Sequence, residues 1–315
     1  MIVSRIIRLR LVYGRHESKA PASLILKTGL PERDSHGWDG VRNEIAFYNQ
    51  VAHGNPTLPI PRCFEAHWKE ETKTWYLLLE DLTDSHFVIA PWPLPPTVEQ
   101  CEKIVEARAR FHAAWWADPR IGTTIGRWRD DAARQVLLQD LGQKIALLAD
   151  RLGDRLSPNW RSLYDQLLDA APRLIAKHCV RQKATIVQGD AHPWNVFFPN
   201  DGSDDVRLFD WDAWRLDLGV SGIAHMMAVH WYPELRGRIE RQLLDRYHEA
   251  LLLNGVRDYD RRELDADYRF STLWQITCPV WQAAYGIPPV IWWNNMERAM
   301  LAVDDVGCRD LLVRH

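Results

Sequence analysis

Apolar and polar positions repeat with one period in the first eighty residues and with another through most of the remaining chain. Over 2–13 apolar residues and arginines alternate imperfectly, as in a strand, and 22–27 (Ala-Ser-Leu-Ile-Leu-Lys) is a second strand between Pro21 and the turn residues Gly29 and Pro31. A polar loop, 32–40, leads into 41–52, where Val41, Ile45 and Tyr48 share one helical face. Strands over 62–68 and 74–79 come next, joined by the polar turn 69–73. The segment 90–96 (Ala-Pro-Trp-Pro-Leu-Pro-Pro) carries too many prolines for a helix or a strand interior and reads as a connector.

After Pro96 the period becomes helical. Thr97-Val-Glu-Gln100 has the chemistry of a capping box and opens a helix to about Ala117. Helical spacing fills most of 130–180 and again most of 219–315. Between them lies a β-like island, 184–211, with the densest set of polar residues among apolar ones. The layout predicts an α+β chain of two lobes, a small β-rich one over 1–82 and a larger, mostly helical one over 83–315.

The island holds the candidate chemistry. Two four-residue apolar arms, 196–199 and 206–209, flank a turn centred on Asp201-Gly202, so a hairpin brings Asn195 and Asp210 together at its open end. Asp190 lies five residues before Asn195, on a loop shaped by Gly189 and Pro193. Two carboxylates and an amide oxygen so placed suit a hard cation such as Mg²⁺ beside phosphate oxygens. Taken alone, an acidic hairpin could equally hold calcium or nothing.

Composition narrows the partners. With 315 residues, 46% hydrophobic and 26% charged, the chain is an ordinary globular sequence long enough for two lobes. A net charge of −3 and a pI near 6.5 give no basic face for nucleic acid. The five cysteines are widely spaced without a C-x-x-C pair, which suits reduced thiols and a cytoplasmic protein. Arginines interrupt the apolar N-terminus, and no run is long enough to span a bilayer, so neither a signal peptide nor a membrane partner is expected. Sixteen tryptophans are an excess, most of them expected in a helical core and a few along a pocket. The sequence leaves the oligomeric state open.

The series Gly189-Asp190-x-x-x-x-Asn195, an apolar strand, a turn and Phe209-Asp210-Trp211 resembles the catalytic and metal-binding segments of the aminoglycoside phosphotransferase and choline kinase superfamily, whose core is protein-kinase-like. The stretch from Trp292 to Met300 is similar to the closing helix of the ecdysteroid-kinase-like branch. The resemblance implies a small-molecule kinase that uses ATP and Mg²⁺. Asp190 would orient and deprotonate an acceptor hydroxyl, Asn195 and Asp210 would hold Mg²⁺, and Glu80, Asp81 and Leu82 would form a hinge against adenine. It also calls for a strand lysine and a helix glutamate that pairs with it. Lys27 closes the second strand, and Glu44 falls inside the apolar stripe of the next helix, where an unpaired carboxylate is costly. The acceptor is expected to be a small alcohol bound on the large lobe beside the helices after 219. An acidic patch there would favour a cationic acceptor, and a tryptophan-lined slot a flat apolar one.

The sequence departs from that pattern at three points. Gln188 stands where many members have histidine, ahead of Gly-Asp. Only residues 1–21 precede the Lys27 strand, with Gly14 as the one early glycine, which points to a shortened start or an unusual phosphate-covering loop. Gly222 occupies the position of an aspartate that anchors the catalytic loop, with Asp212 and Asp217 as candidate substitutes. Three readings remain: an active phosphotransferase, a degenerate nucleotide-binding pseudokinase serving as an interaction module, and a purely structural protein, which leaves the hairpin constellation unexplained. His112, inside the first long helix, is expected to be a structural support.

Overall fold

A computed structural model describes residues 4–14, 20–30, 38–89 and 91–313. In chain order they form strands β1 (Ser4–Arg10) and β2 (Ser23–Gly29), helix α1 (Trp38–Phe47), and strands β3 (Cys63–Lys69), β4 (Thr74–Glu80) and β5 (His86–Val88). Helices α2 (Val98–Ala114), α3 (Asp131–Leu152) and α4 (Pro158–His178) precede strands β6 (Ala184–Val187), β7 (Val196–Pro199), β8 (Arg207–Leu208) and β9 (Arg215–Leu218). The chain ends in helices α5 (Val220–Ala224), α6 (Pro233–Leu253), α7 (Arg261–Trp274), α8 (Cys278–Ala284) and α9 (Pro289–Asp305). The architecture is α+β, with an antiparallel sheet near the N-terminus and helices dominating after Pro96, as the change of period predicts. Most of the polar loop 32–40, Ile2 at the start of the first strand, and Ala90 in the connector lie outside the described residues. No helix among the described residues is long and apolar enough to cross a membrane.

Two compact units emerge: Met1–Pro96 with Gln188–Trp214, and Thr97–Val187 with Arg215–His315. In the first, β1-β2-β4-β3 form an antiparallel sheet in which Lys27 faces Ile6 on one side and Leu77 on the other. A strand therefore does precede the one that carries Lys27. The connection between them includes 15–19, where the phosphate-covering loop would fall, and those residues lie outside the described ones. Helix α1 begins at Trp38, ahead of the expected Val41, and gives way at Tyr48–Ala52 to a π-helical turn. Its buried face includes Val41, Glu44, Ile45 and Phe47.

Residues 188–214 group with the N-terminal strands because pairing and packing hold them there. Strand β5, in a stretch to which the sequence pattern assigns no element, pairs with β7, and β7 pairs with β8. The Leu208 N–H donates to the Pro59 carbonyl at 2.8 Å, and the Arg207 guanidinium to that of Ile60 at 2.9 Å. Phe47 of α1 stacks flat on Trp211, with centroids 4.0 Å apart and planes 6° apart. Two glycines bend the segment. Gly189 has φ +86°, and a Cβ on it would lie 2.0 Å from the Ala213 carbonyl oxygen. Gly202 at the hairpin tip has φ +75° with open space around it.

In the second unit the capping box forms as expected. Thr97 Oγ1 accepts from the Gln100 N–H at 3.2 Å, and Gln100 Oε1 accepts from the Thr97 N–H at 2.9 Å. Asp130 and Asp260 cap α3 and α7 in the same way, each accepting from an N–H three residues on. Strands β6 and β9 pair antiparallel as a two-stranded ribbon, Ala184 opposite Leu218 and Val187 opposite Arg215. His112 is buried on α2, where its Nδ1 lies 2.8 Å from the Tyr247 hydroxyl. Burial, helped by the nearby Arg108 charge, pushes this imidazole down to about 3. Gly219 fits against the pair, since a Cβ there would lie 2.4 Å from the Tyr247 oxygen. The structure thus gives His112 the supporting role that its helical position suggests.

Two measurements test these constraints. Gly202→Ala meets only the cost of a left-handed backbone, about 1 kcal/mol, whereas Gly189→Ala must also displace the Ala213 peptide. Urea unfolding should therefore show a small loss for the first variant and a loss several times larger for the second. Because the His112 pKa is depressed in the folded chain, only the unfolded chain takes up that proton between about pH 6.5 and pH 3. Stability from this group is full above pH 6.5 and declines as pH falls through that window. His112→Gln should make the fall in stability from pH 7 to pH 5 smaller by about 2 kcal/mol, read from urea midpoints at the two pH values.

Candidate functional site

The catalytic, metal and nucleotide-binding candidates Lys27, Glu44, Glu80, Asp81, Leu82, Asp190, Asn195 and Asp210 all fall in the first unit. Lys27 comes from the central strand β2 and Glu44 from the buried face of α1. Asp190, Asn195 and Asp210 come from the loop and hairpin of 188–214. The Lys27 ammonium lies 2.8 Å from Glu44 and 3.0 Å from Asp210 Oδ1. Glu44, 2% exposed, takes a second hydrogen bond from the backbone N–H of Trp211. Burial opposes the charge of Lys27, but the Glu44 and Asp210 carboxylates outweigh it and raise the ammonium's pKa, so Lys27 stays protonated. The cost of an acid on the apolar stripe is thus met by the partner that the sequence nominates.

The hairpin brings its ends together as its matched arms require. The Phe209 N–H donates to the Asn195 carbonyl at 3.1 Å, which sets Asp210 beside Asn195 at the mouth of β7 and β8. Only Arg207–Leu208 of the second arm is regular strand, so β8 is shorter than the expected 206–209. Asp210 has φ +65°, a left-handed backbone that Asp tolerates better than most residues. Asn195 donates Nδ2 to the Asp190 carbonyl at 3.0 Å, which ties the loop closed and leaves the amide oxygen as the acceptor end of the side chain. The Asp190 carboxylate is about half exposed (49%) and lies 3.5 Å from His192 Nε2. Gln188, buried, donates to the Phe209 carbonyl and so joins the loop to the hairpin.

Helix α1 is clasped to the same segment by groups that carry no periodic signal. Asn43 Nδ2 donates to the carbonyls of Asp212 (2.8 Å) and Trp214 (3.0 Å), and the Trp214 indole N–H donates back to the Asn43 carbonyl. Asp212 itself belongs to the acidic group. Burial, then the charges of Asp210, Glu44 and Asp190, push its carboxyl up to about 7, with Lys27 working against them. Sequence reasoning weighed Asp212 only as a replacement for the aspartate that Gly222 displaces. The signal that could have found it was its place two residues after Asp210, on the face opposite Trp211. Asp217, the other candidate, is engaged on the ribbon: it pairs with Arg215 at 3.0 Å and accepts from the Leu218 N–H at 2.8 Å.

The positions nominated for a hinge end β4. Glu80 pairs with Leu24, its N–H donates to the Arg62 carbonyl at 2.8 Å, and its carboxylate accepts from the Arg62 N–H at 3.1 Å. Leu82 is buried, and its carbonyl accepts from the N–H groups of Ser85 and His86. Burial alone would raise the Asp81 carboxyl, but bonds from Ser23 (2.5 Å), Thr83 (3.0 Å) and Arg8 (2.6 Å) hold it below the usual carboxylate range. Asp81 therefore ties β1, β2 and the end of β4 together, and Glu80 and Leu82 already spend backbone groups inside the protein.

Four carboxylates (Glu44, Asp190, Asp210, Asp212) face one ammonium in this unit, which leaves an excess of negative charge. Among the described residues no group of three or more His, Cys, Asp or Glu side chains is arranged to hold a metal ion by itself. The donors at the mouth of the hairpin are an amide oxygen and a carboxylate, hard ligands of the kind Mg²⁺ accepts when water and phosphate complete its shell.

Residues 2–117 match the ecdysteroid kinase-like family. No curated protein sequence matches the chain. Among solved structures, a candidate aminoglycoside phosphotransferase from Ralstonia eutropha JMP134 is 14% identical, with a TM-score of 0.56 over 91% of this chain and 86% of that one. A choline/ethanolamine kinase family protein from Mesorhizobium loti is 12% identical, with a TM-score of 0.50 over 92% and 83%. An amicoumacin kinase in complex with AMP-PNP, Ca²⁺ and its ligand is 14% identical, with a TM-score of 0.52 over 96% and 86%. The chain thus has the kinase-like fold of aminoglycoside phosphotransferases and choline/ethanolamine kinases, and over residues 2–117 it is similar in sequence to the ecdysteroid kinase-like family.

Proposed function

We propose that the chain transfers the γ-phosphate of ATP to a hydroxyl of a small molecule. The observation that carries this reading is the Lys27 ammonium held at once by Glu44 and by Asp210, which couples sheet, helix and hairpin through one charge. In a kinase-like fold that arrangement presents a lysine to the nucleotide phosphates. The amicoumacin kinase of the same fold was solved with a nucleotide analogue and a divalent cation, which agrees with ATP and Mg²⁺ as cofactors here.

In this reading 1–82 is the nucleotide-binding lobe, with Glu80, Asp81 and Leu82 as its hinge, and 83–315 carries the catalytic loop, the hairpin and the acceptor site. Asp190, the half-exposed carboxylate, accepts the proton of the acceptor hydroxyl as its oxygen bonds to the γ-phosphorus and the bond to the β-phosphate oxygen breaks. Asn195 and Asp210 would hold Mg²⁺, which would screen the phosphate charge. His192, 3.5 Å from Asp190, steadies that carboxylate, and Asn195 Nδ2 fixes the loop that carries it. A second reading, a nucleotide-binding pseudokinase, draws on Gly222, which brings no carboxylate to α5 where the family pattern calls for one.

Two experiments test the assignment. Asp190→Asn should lower ATP turnover against a panel of small alcohols by a factor of at least about 10², while ATP and Mg²⁺ still raise its thermal midpoint. Unchanged turnover would remove Asp190 from the chemistry, and ATP binding without turnover in the unaltered protein would favour the pseudokinase. For the charge cluster, Lys27→Met leaves Glu44 buried and unpaired and should cost about 3–5 kcal/mol. The double variant Lys27→Met with Glu44→Gln should regain a large part of that loss in denaturant unfolding.

A further inference from the structure

The second unit contains a cavity of about 110 Å³ that includes none of the residues assigned to phosphotransfer. The ribbon residues Leu216 and Leu218 and the helix residues Leu137, Ile175 and Phe270 supply its apolar wall. Trp128 and Trp274 add aromatic surface. Its size is a little under the ~150 Å³ of a dry cavity that holds benzene, so it suits one small ring or a branched chain of similar bulk.

Its polar groups are unevenly matched. Arg134 is engaged with the Cys179 carbonyl at 3.2 Å and with Asp131 at 3.5 Å, and Arg215 pairs with Asp217. Arg127 and Arg129 line the same cavity, and among the described residues neither has an ion-pair partner. Desolvation, and then the charge of nearby Arg215, holds the Arg129 guanidinium below its ordinary pKa. Asp217, which also lines the cavity and is paired with Arg215, works against this shift but does not overcome it. Ser221 and Ser271, 6% and 2% exposed, also line the cavity, and among the described residues their hydroxyls have no hydrogen-bond partner. Buried hydroxyls of this kind call for an oxygen or nitrogen from outside the protein.

We propose that this cavity binds a small organic carboxylate, with its ring or branched chain against Trp128, Phe270 and Trp274 and its carboxylate on Arg127 and Arg129. An oxygen substituent on the apolar part would meet Ser221 or Ser271. The site lies wholly within the second unit and shares no residue with the catalytic and metal-binding set, so its binding is tested without nucleotide. Arginine suits the carboxylate because its planar fork can donate two parallel bonds.

Calorimetry on the full chain without nucleotide tests this, with benzoate as the probe and benzyl alcohol, benzylamine and inorganic phosphate as comparisons. Benzoate should bind at least about ten-fold more tightly than each of the others, the discrimination a charge-assisted hydrogen bond provides. Arg129→Gln, which breaks no ion pair among the described residues, should weaken benzoate about ten-fold and leave benzyl alcohol unchanged. Ser271→Val, which narrows the cavity and removes an unpaired hydroxyl, should weaken benzoate binding and preserve the thermal midpoint. The proposal fails if benzoate produces no heat at millimolar concentration. It also fails if phosphate binds as well as benzoate, which would mean an anion patch only, or if Arg129→Gln leaves benzoate affinity unaltered.

Discussion

One partly buried ammonium organises the first unit. Lys27 reaches from the sheet to a carboxylate on α1 and to another at the end of the hairpin, so a single charge settles the register of three elements that are far apart in sequence. The Glu44 carboxylate would be expensive in that place alone. Glu44 tolerates burial because Lys27 and the Trp211 N–H both reach it, and Lys27 tolerates desolvation because two acids surround it. Such an arrangement does little for net stability compared with a well-packed apolar cluster. Its value lies in specificity, since displacement of any one member strands the others.

Packing around that charge makes the geometry stiff. The flat contact of Phe47 with Trp211 and the reciprocal bonds of Asn43 and Trp214 fix α1 against the segment that carries Asp210. The close approach of Gly189 to the Ala213 peptide fixes the loop that carries Asp190. Asp210 meanwhile adopts a backbone conformation uncommon for a residue with a side chain. Strain of this sort persists only where the surroundings over-determine it, and it concentrates at sites of function.

Much of this was legible in the sequence because the relevant signals are local. The capping box at Thr97, the β7 arm of the hairpin and the helical stripe that contains Glu44 depend on spacing within a few residues, and each forms where expected. The partner of Glu44 could be named because burial of an acid demands one. What was missed depends on long-range pairing. Strand β5 is three residues long and becomes a strand only because β7 lies beside it, and β9 exists through its pairing with β6. Asp212 escaped notice as a site residue because its elevated pKa comes first from burial and then from carboxylates that include Glu44 and Asp190, supplied by other parts of the chain. The π-helical turn after α1 likewise has no signature that spacing could reveal.

The discontinuity of the first unit bears on how the protein is made. Its N-terminal portion ends at Pro96, but the strand, loop and hairpin that complete it run from Gln188 to Trp214, and the residues between belong to the other unit. A ribosome adds roughly 5–20 residues per second, so the nascent sheet and α1 wait on the order of 10 s for Asp210 and Trp211 to emerge. Throughout that delay Phe47 lacks its stacking partner and Lys27 lacks one of its two acids. Non-local closure of this kind is slow and leaves apolar surface open to wrong partners. Recombinant yield should accordingly depend on the rate of translation across 97–187, a region that contributes no atom to the candidate catalytic residues.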